Sequence, residues 1–137
     1  SMGKLNPTTV ALVDDDYIFQ LTASRMLKAA DESAQVLQFS NGEEALRYLL
    51  EHAAEEEKLP DILLLDINMP HVDGWMFLND YATFKNSLHK DIQIYMVSSS
   101  IDPSDINRAK SNQSVKDYII KPISREGFRQ IISSSLN

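Results

Sequence analysis

Apolar and polar positions form blocks of two kinds, which follow each other in a regular order along the chain. Short unbroken apolar runs occupy residues 10–13, 62–65 and 118–120. Such runs are typical of strands covered on both faces, as in the parallel sheets of α/β proteins. Residues 36–39 and 92–97 are more mixed, which predicts strands nearer a sheet edge.

Between the strand runs, apolar residues repeat at the spacing of one helix face. Four such stripes are Phe19, Ala23, Met26, Leu27 and Ala30; Leu46, Leu49, Leu50 and Ala53; Phe77, Tyr81 and Phe84; and Phe128, Ile131, Ile132 and Leu136. A further helix is predicted over 102–113, but only Ile106 and Ala109 lie in phase, so we expect it to be weakly held and able to move. The alternation predicts an α/β fold, a doubly wound parallel five-stranded sheet with helices on both faces.

Composition and charge narrow the class of protein. The 137 residues are 43% hydrophobic and fit one domain, which we place at 10–137; residues 1–9 are interpreted as an expression scar, Ser1-Met2-Gly3, and a lead-in. A net charge of −7 argues against direct binding to nucleic acid or an anionic membrane. Cysteine is absent, and no apolar run is long enough to span a bilayer. We therefore expect a cytoplasmic protein.

Polar side chains of three chemical kinds come directly after four of the predicted strands. They are, in chain order, Asp14, Asp15 and Asp16, then Asp66, then Ser98, Ser99 and Ser100, and finally Lys121. In open α/β sheets, ligands bind at the carboxyl ends of the strands. We therefore expect these groups to share one site, with Asp16 also capping the first helix.

Carboxylates this close together imply a cation. At a near-surface effective dielectric, two of them repel by about 4 kcal/mol, so they stay ionised together only around a positive charge. Oxygen ligands favour a hard ion, which predicts Mg²⁺, with Mn²⁺ as an alternative. A lysine and a hydroxyl beside that ion could hold phosphoryl oxygens, and one carboxylate could act as the nucleophile and become an aspartyl phosphate. The sequence has no Gly-rich phosphate loop, so no nucleotide is expected.

Four motifs together resemble the receiver domain of two-component response regulators, in its stand-alone, chemotaxis-regulator-like form. They are Val13-Asp14-Asp15, Leu65-Asp66-Ile67-Asn68-Met69-Pro70 with Asp73-Gly74, Val97-Ser98-Ser99, and Tyr118-Ile119-Ile120-Lys121-Pro122. The resemblance extends over about residues 10–136. It implies a flavodoxin-like (βα)5 fold with strand order 2-1-3-4-5.

The resemblance also implies a role for each residue of the site. Asp66 is implied as the phosphoacceptor, which receives a phosphoryl group from a histidine kinase or a histidine phosphotransfer protein. Asp15, Asp66 and the backbone carbonyl of Asn68 are implied as metal ligands, and Asp14 as a ligand either directly or through water. Lys121 would contact the phosphoryl group as a point charge.

The remaining implied roles concern switching. Ser98 would hydrogen-bond the phosphoryl group and move toward it, while the small side chain of Ser99 leaves access to the acceptor. Tyr118 is the implied switch aromatic, which turns inward when Ser98 moves. The resemblance also implies that the Lys121–Pro122 peptide bond is cis. A downstream protein target would bind the fourth helix, fifth strand and fifth helix, around residues 98–136. The chain is then a regulator that catalyses only its own phosphorylation and dephosphorylation.

Three alternatives remain open. The domain could be a receiver excised from a hybrid histidine kinase or a longer regulator. An aspartyl-phosphate phosphatase of similar architecture would carry its nucleophile in an Asp-x-Asp after the first strand, whereas here Asp66 is the lone acid after the third. A flavin-binding module would need a Ser/Thr/Gly-rich loop after the first strand, where this chain has three aspartates.

Overall fold

The computed structural model describes residues 6–135. Its elements are β1 (Thr9–Val13), α1 (Tyr17–Ala30), β2 (Gln35–Phe39), α2 (Gly42–Glu51), β3 (Ile62–Leu65), α3 (Gly74–Phe84), β4 (Gln93–Ser98), α4 (Pro103–Lys110), β5 (Val115–Ile120) and α5 (Arg125–Ser134), with a 3-10 turn at Lys85–Ser87. The expected scar and Leu136 lie outside the described residues. No helix within 6–135 is long and apolar enough to cross a membrane.

The five strands form one parallel sheet in the order β2-β1-β3-β4-β5, which confirms the predicted doubly wound fold. Its register aligns the carboxyl ends of the central strands, because Val13 pairs with Leu65 and Leu65 pairs with Met96. Residues that directly follow β1 and β3 are therefore neighbours. This alignment brings together side chains that are about 50 positions apart in the sequence.

Hydrophobic residues cover the sheet on both faces, in the alternation expected for strands buried on two sides. Val10 and Leu12 of β1 pack with α1 and α5, through residues such as Leu27 and Phe128. The alternate residues of β1 pack with α2, α3 and part of α4. The predicted stripes of α1, α3 and α5 thus face the core, whereas Leu50 of the α2 stripe is 53% exposed.

Each α-helix begins at a side-chain cap, in which an oxygen accepts hydrogen bonds from otherwise unsatisfied backbone N–H groups. The caps are Asp16, Asn41, Asp73, Asp102 and Ser124. The prediction for Asp16 is confirmed, since its carboxylate accepts from the backbone of Ile18 and Phe19.

The predicted edge positions of the strands were only partly right. β2 is an edge strand, but β4 lies inside the sheet and five of its six residues are buried. Polar β4 residues are tolerated there because they find partners, as Tyr95 does with the Ser134 hydroxyl at 2.9 Å. The apolar run at 118–120 belongs instead to the other edge strand, β5, where Ile120 is 44% exposed.

The fourth helix is shorter than predicted. Asp102 is its cap, α4 ends at Lys110, and residues 111–113 form a turn. Ala109 is the only fully buried residue of α4, and Ile106 is half-buried. A helix with so narrow a buried face has little packing to extend it further, so the expectation of a weakly held element stands.

Candidate functional site

Asp14 is a buried carboxylate at the end of β1. Its side chain is 1% exposed, and its Oδ1 accepts a hydrogen bond of 2.9 Å from the backbone N–H of Asp16. The backbone N–H of Asp14 continues the sheet by donating to the Phe39 carbonyl. Asp15, the next residue, is exposed, so the pair offers one fixed inner carboxylate and one that faces solvent.

Asp66 lies at the end of β3, beside Asp14. Its side chain is 9% exposed, and its backbone N–H donates to the Val13 carbonyl at 3.0 Å. Gly74, at the start of α3, packs directly against this segment, because a Cβ at that position would lie 2.6 Å from the Asp66 carbonyl oxygen. The glycine of the Asp73-Gly74 pair therefore lets α3 approach the candidate acceptor.

Lys121 connects the end of β5 to these carboxylates. Its Nζ lies 2.8 Å from Asp14 Oδ2 and 3.9 Å from Asp66 Oδ1. The nearer contact is an ion pair whose direction does not meet hydrogen-bond geometry. The backbone N–H of Lys121 donates to the Ser98 carbonyl, and the Lys121–Pro122 bond is cis, as expected.

Burial governs the electrostatics of the two inner carboxylates. Desolvation, followed by the negative charge of Asp14, raises the pKa of Asp66 from 3.8 to about 6; Lys121 and the backbone N–H of Asn68 act in the opposite direction. Desolvation likewise raises the pKa of Asp14 despite its contact with Lys121. One ammonium therefore does not balance the negative charge at this end of the sheet.

The donor set fits a hard divalent cation. Asp14, Asp15 and Asp66 each offer a carboxylate oxygen, and the three oxygens lie within 4.8 Å of one another. Three oxygen donors, two of them buried beside one ammonium, are the kind of set that Mg²⁺ or Mn²⁺ accepts. Asn68 follows two residues after Asp66, with an exposed side chain, in the loop that leads to α3.

The hydroxyl predicted for the site belongs to a local hydrogen-bond network. Ser98 is fully buried, and its Oγ accepts from the backbone N–H of Ser100 at 3.1 Å. The hydroxyl of Tyr118, itself 8% exposed, donates to the Ser100 carbonyl at 2.8 Å. Ser100 also donates its own hydroxyl to Asp105 of α4. Tyr118 therefore points inward in this structure, and Ser100 connects it to Ser98 and α4.

Three contacts that shape this end of the sheet were missed by the sequence analysis, although it placed Ser100 at the site and Phe19 on the inner face of α1. Gln20 is buried, and its amide donates to the carbonyls of Leu12, Asp14 and Phe39. A polar residue in phase with Ala23 and Leu27 on a buried helix face was the available signal. The other two are the bond between Tyr118 and Ser100 and the contact of the Phe19 ring with Lys121. Both are tertiary contacts that no local sequence pattern reveals.

Together the residues form a shallow acidic site with one cation at its rim. A buried carboxylate with a neighbouring ammonium and metal-binding oxygens can act as a nucleophile toward an electrophilic phosphorus atom. The exposed side chain of Ser99 borders an adjacent cavity that Lys121 also lines.

Comparison with known proteins decides the family. The sequence profile of the response regulator receiver domain matches residues 10–133, which is nearly the whole chain. This chain belongs to the response regulator receiver domain family. Residues Asp14, Asp15, Asp66, Ser98 and Lys121 all lie within the matched segment of the receiver domain.

Curated relatives of this receiver domain are similar over most of its length. A probable methanogenesis regulatory protein, FilR2 of Methanothrix harundinacea, is 28% identical over 127 residues, covering 93% of this chain and 80% of that protein. The sensor histidine kinase CheAY of Helicobacter pylori is 27% identical over 93% of this chain, but the match spans only 15% of its own length. Receiver domains similar to this one therefore occur in proteins of very different size.

Solved structures confirm the receiver fold. A two-component response regulator from Cytophaga hutchinsonii superposes with a TM-score of 0.80, at 24% identity, over 95% of this chain and 97% of that chain. Chemotaxis protein CheY4 of Vibrio cholerae gives a TM-score of 0.74, at 22% identity, over 95% and 99%. At these identities the likeness concerns the fold alone.

Proposed function

We propose that this receiver domain is a phosphoacceptor, in which Mg²⁺-dependent transfer of a phosphoryl group to Asp66 switches a protein-binding surface. The donor would be a histidine kinase or a histidine phosphotransfer protein. The observation that carries the proposal is the position of Asp66, a buried carboxylate 3.9 Å from Lys121 and grouped with two further carboxylates. The Lys121 ammonium, together with a cation held by the carboxylates, would offset the negative charge of an incoming phosphoryl group.

The residues divide into those for the metal and those for the phosphoryl group. Asp15, Asp66 and the Asn68 carbonyl are proposed to hold Mg²⁺, with Asp14 binding directly or through water. When bound, the ion would neutralise charge that develops on the phosphoryl oxygens. Mn²⁺ would serve in the same way, because it accepts the same oxygen donors.

Lys121 and two serines are assigned to the phosphoryl group itself. The Lys121 ammonium lies close enough to Asp66 to contact an oxygen of a group attached there. Ser98 would release its bond from Ser100 and donate to another oxygen, while Ser99 leaves the approach open. Tyr118 would respond to the movement of Ser98 through their shared contact with Ser100.

The proposed transfer needs no oxidant, reductant or further co-reactant, because one bond to phosphorus forms as another breaks. An Asp66 oxygen forms a bond to phosphorus while the bond from phosphorus to the donor's imidazole nitrogen breaks. The electron pair remains on that nitrogen, which takes a proton from solvent. The domain is therefore a regulator whose only chemistry is its own phosphorylation and later hydrolysis, and it has no separate substrate.

The proposed output surface is formed by α4, β5 and α5, around residues 98–136. α4 contributes few buried residues, and Ser100 hydrogen-bonds both Tyr118 and Asp105 of α4. A ligand can shift an element only by contacting its two states differently. The change in the partner of Ser98 would supply that difference, and a downstream protein would recognise the result in the cytoplasm.

Phosphorylation at Asp66 can be tested directly. The purified domain is incubated with acetyl phosphate and Mg²⁺ and analysed by intact-mass and peptide mass spectrometry. We expect one added phosphoryl group, mapped to Asp66, and no addition to Asp66→Asn. Undiminished labelling of Asp66→Asn would overturn the assignment.

The metal assignment needs a separate measurement. Mg²⁺ affinity, measured by titration, is expected to fall sharply in Asp15→Ala because an exposed carboxylate of the cluster is lost. Asp117→Ala, an exposed aspartate on β5, is the matched control and should bind as the wild type does. An unchanged affinity in Asp15→Ala would move the ligand role to Asp14 or Asp16.

Whether the domain acts alone or within a longer protein is a separate part of the proposal. We propose a stand-alone, chemotaxis-regulator-like domain over residues 10–137. The match covers 80% of the length of FilR2 but only 15% of the length of CheAY. The size of the native gene product, measured by mass spectrometry, tests this point: a mass well above that of a single domain would favour the longer protein.

A further inference from the structure

The side chain of Lys121 contacts an aromatic ring as well as the carboxylates. Its Nζ lies 4.6 Å from the centroid of the Phe19 ring, which is within the range of a cation–π interaction. The same ammonium is 2.8 Å from Asp14 and 3.9 Å from Asp66. Ring and carboxylates therefore hold one cation between α1 and the end of the sheet.

The placement of Phe19 is built into the segment that carries the metal-binding acids. Asp14 and Asp15 belong to the acidic cluster, and the third aspartate, Asp16, caps α1. The Asp16 carboxylate accepts a hydrogen bond from the backbone N–H of Phe19 itself, at 3.3 Å. The backbone of Phe19 is thus fixed directly from the loop that forms the site.

Without the ring, Lys121 would have room to leave. A cavity of about 360 Å³, lined mainly by apolar surface, lies beside the site, and Phe19, Ser99, Lys121 and Pro122 are among the residues around it. A lysine side chain has four rotatable bonds and loses rotamer entropy when it is fixed. The two carboxylates contact its ammonium from the end of the sheet, and the Phe19 ring contacts it from α1.

We infer that Phe19 is a positioning residue for phosphoryl transfer, which holds the Lys121 ammonium beside Asp66 through the face of its ring. The inference rests on the proposed function, because it assigns to Lys121 the contact with the incoming phosphoryl group. A ring that keeps the ammonium in place lowers the entropy lost when the phosphoryl oxygens arrive. The attraction between the ring and the ammonium is electrostatic, and it depends on the electron density of the ring rather than on the size of the ring.

The test replaces Phe19 with phenylalanines that carry one, two or three ring fluorines, which weaken the cation–π attraction while nearly keeping the shape. The rate of Asp66 labelling by acetyl phosphate at saturating Mg²⁺ is measured for each. We expect the rate to fall with every added fluorine, by about three- to tenfold over the series. Phe19→Trp should restore at least the wild-type rate, and Phe19→Leu should match the trifluoro protein.

Phe84 provides the matched control. It is also half-buried, and its ring contacts the Tyr81 ring at 5.8 Å. The same fluorinated series at Phe84 should leave the labelling rate unchanged, and a Phe19 variant should be labelled more slowly than a Phe84 variant that has the same urea-unfolding midpoint. A purely structural role for Phe19 would move the unfolding midpoint and the rate together.

The outcomes separate the inference from the function beneath it. If the wild type is not labelled on Asp66, the proposed function fails and the inference fails with it. If the wild type is labelled but the rate is flat across the Phe19 series, only the positioning role is overturned. A rate that rises with fluorination would also overturn it, because the ring would then be holding Lys121 away from the phosphoryl group.

Discussion

Asp66 combines two demands on a single carboxyl group. As the proposed nucleophile it must be ionised, yet burial and the neighbouring Asp14 favour its neutral form and raise its pKa to about 6. The folded domain therefore takes up a proton at a higher pH than the unfolded chain. In the absence of metal, ionised Asp66 costs stability at neutral pH, and this cost disappears as the pH falls through about 6 toward 4.

Asp66→Asn is accordingly expected to stabilise the metal-free domain. At pH 8 in EDTA, the free energy of unfolding should rise by on the order of 2–3 kcal/mol, the difference between ionising Asp66 in the folded and unfolded states. At pH 4 the gain should vanish. Urea unfolding across this range checks the prediction, with Asp117→Asn as an exposed control. A gain that is equal at both pH values would contradict it.

Gln20 shows how one side chain supports the site from behind. Its amide donates to three carbonyls, including that of Asp14, and the residue is 7% exposed. The three acceptors belong to β1, to the loop after it and to the end of β2. Gln20 therefore fixes the backbone that presents Asp14 to the acidic cluster.

Gln20→Met keeps the length of the side chain but removes its donor. Buried carbonyls that lose a partner are costly, so we expect a loss of about 2–3 kcal/mol in the free energy of unfolding, measured in urea. Gln130→Met is the matched control, because Gln130 is an exposed glutamine on another helix, α5. Equal losses in the two variants would show that the three buried hydrogen bonds carry no special weight.

The secondary-structure elements were predictable where local pattern and tertiary environment agree. β3 is apolar throughout, and β1 is apolar from Val10 onward, because both faces are covered; the stripes of α1, α3 and α5 each face one cluster of the core. The positions of β4 and β5 in the sheet were not predictable from their composition. A polar residue such as Tyr95 can be buried by a partner from another element, and edge position is set by pairing across the whole chain.

The candidate site was likewise predictable only in part. Its charged groups were predictable because the ends of parallel strands meet at one edge, which places Asp14, Asp66 and Lys121 together. The supporting contacts of Phe19, Gln20 and Ser100 were not. Each of them joins groups on different elements, so helix periodicity can place Phe19 and Gln20 on the inner face of α1 but cannot reveal which groups they contact.

α4 has fewer buried residues than any of the other four helices. One residue is fully buried, and its connections to neighbouring segments include the Ser100–Asp105 bond of 2.7 Å and the Arg108 guanidinium, 4.2 Å from the centroid of the Trp75 ring. Polar and cation–π contacts of this kind contribute about 1 kcal/mol each. α4 is therefore expected to open more readily than helices with a full apolar face.

Amide hydrogen exchange tests this order. Amides of α4 should exchange faster than those of α1, and Ser100→Ala should speed exchange in α4 by about five- to tenfold, because the bond to Asp105 is lost. Ser133→Ala, an exposed serine on α5 with a local bond to Gln130, is the control and should leave α4 unchanged. Slower exchange in α4 than in α1 would contradict the prediction.

At the scale of the whole molecule, the sheet separates two halves of the proposed mechanism. α1 and α5 pack on one face, and the Phe19–Lys121 contact lies on the α1 side. α3 and α4 pack on the other, where Trp75 and Tyr118 adjoin that core. The strand ends between them join the two, so the proposed phosphorylation of Asp66 would act on both faces.

Charge is the other property of the whole chain that bears on function. The net charge is −7, and three of the acids, Asp14, Asp15 and Asp66, lie together at the site. A divalent cation bound there should stabilise the fold by about 1.4 kcal/mol at ten times its dissociation constant. Because a proton on Asp66 competes with the metal, affinity should hold above pH 7 and weaken below pH 6, approaching tenfold per pH unit well under the pKa of about 6.

Thermal unfolding at pH 8 and pH 5, with MgCl₂ or with NaCl of equal ionic strength, separates this site effect from general screening of the −7 charge. Screening acts on all exposed acids, so NaCl should give a smaller shift in Tm than MgCl₂ gives. In Asp15→Ala, the NaCl shift should change little between the two pH values. The extra shift from Mg²⁺ should be present at pH 8, be mostly lost at pH 5, and be lost at both in Asp15→Ala. An equal response to the two salts at pH 8 would mean that the acids act only as a diffuse surface charge, and that no specific divalent site exists at the end of the sheet.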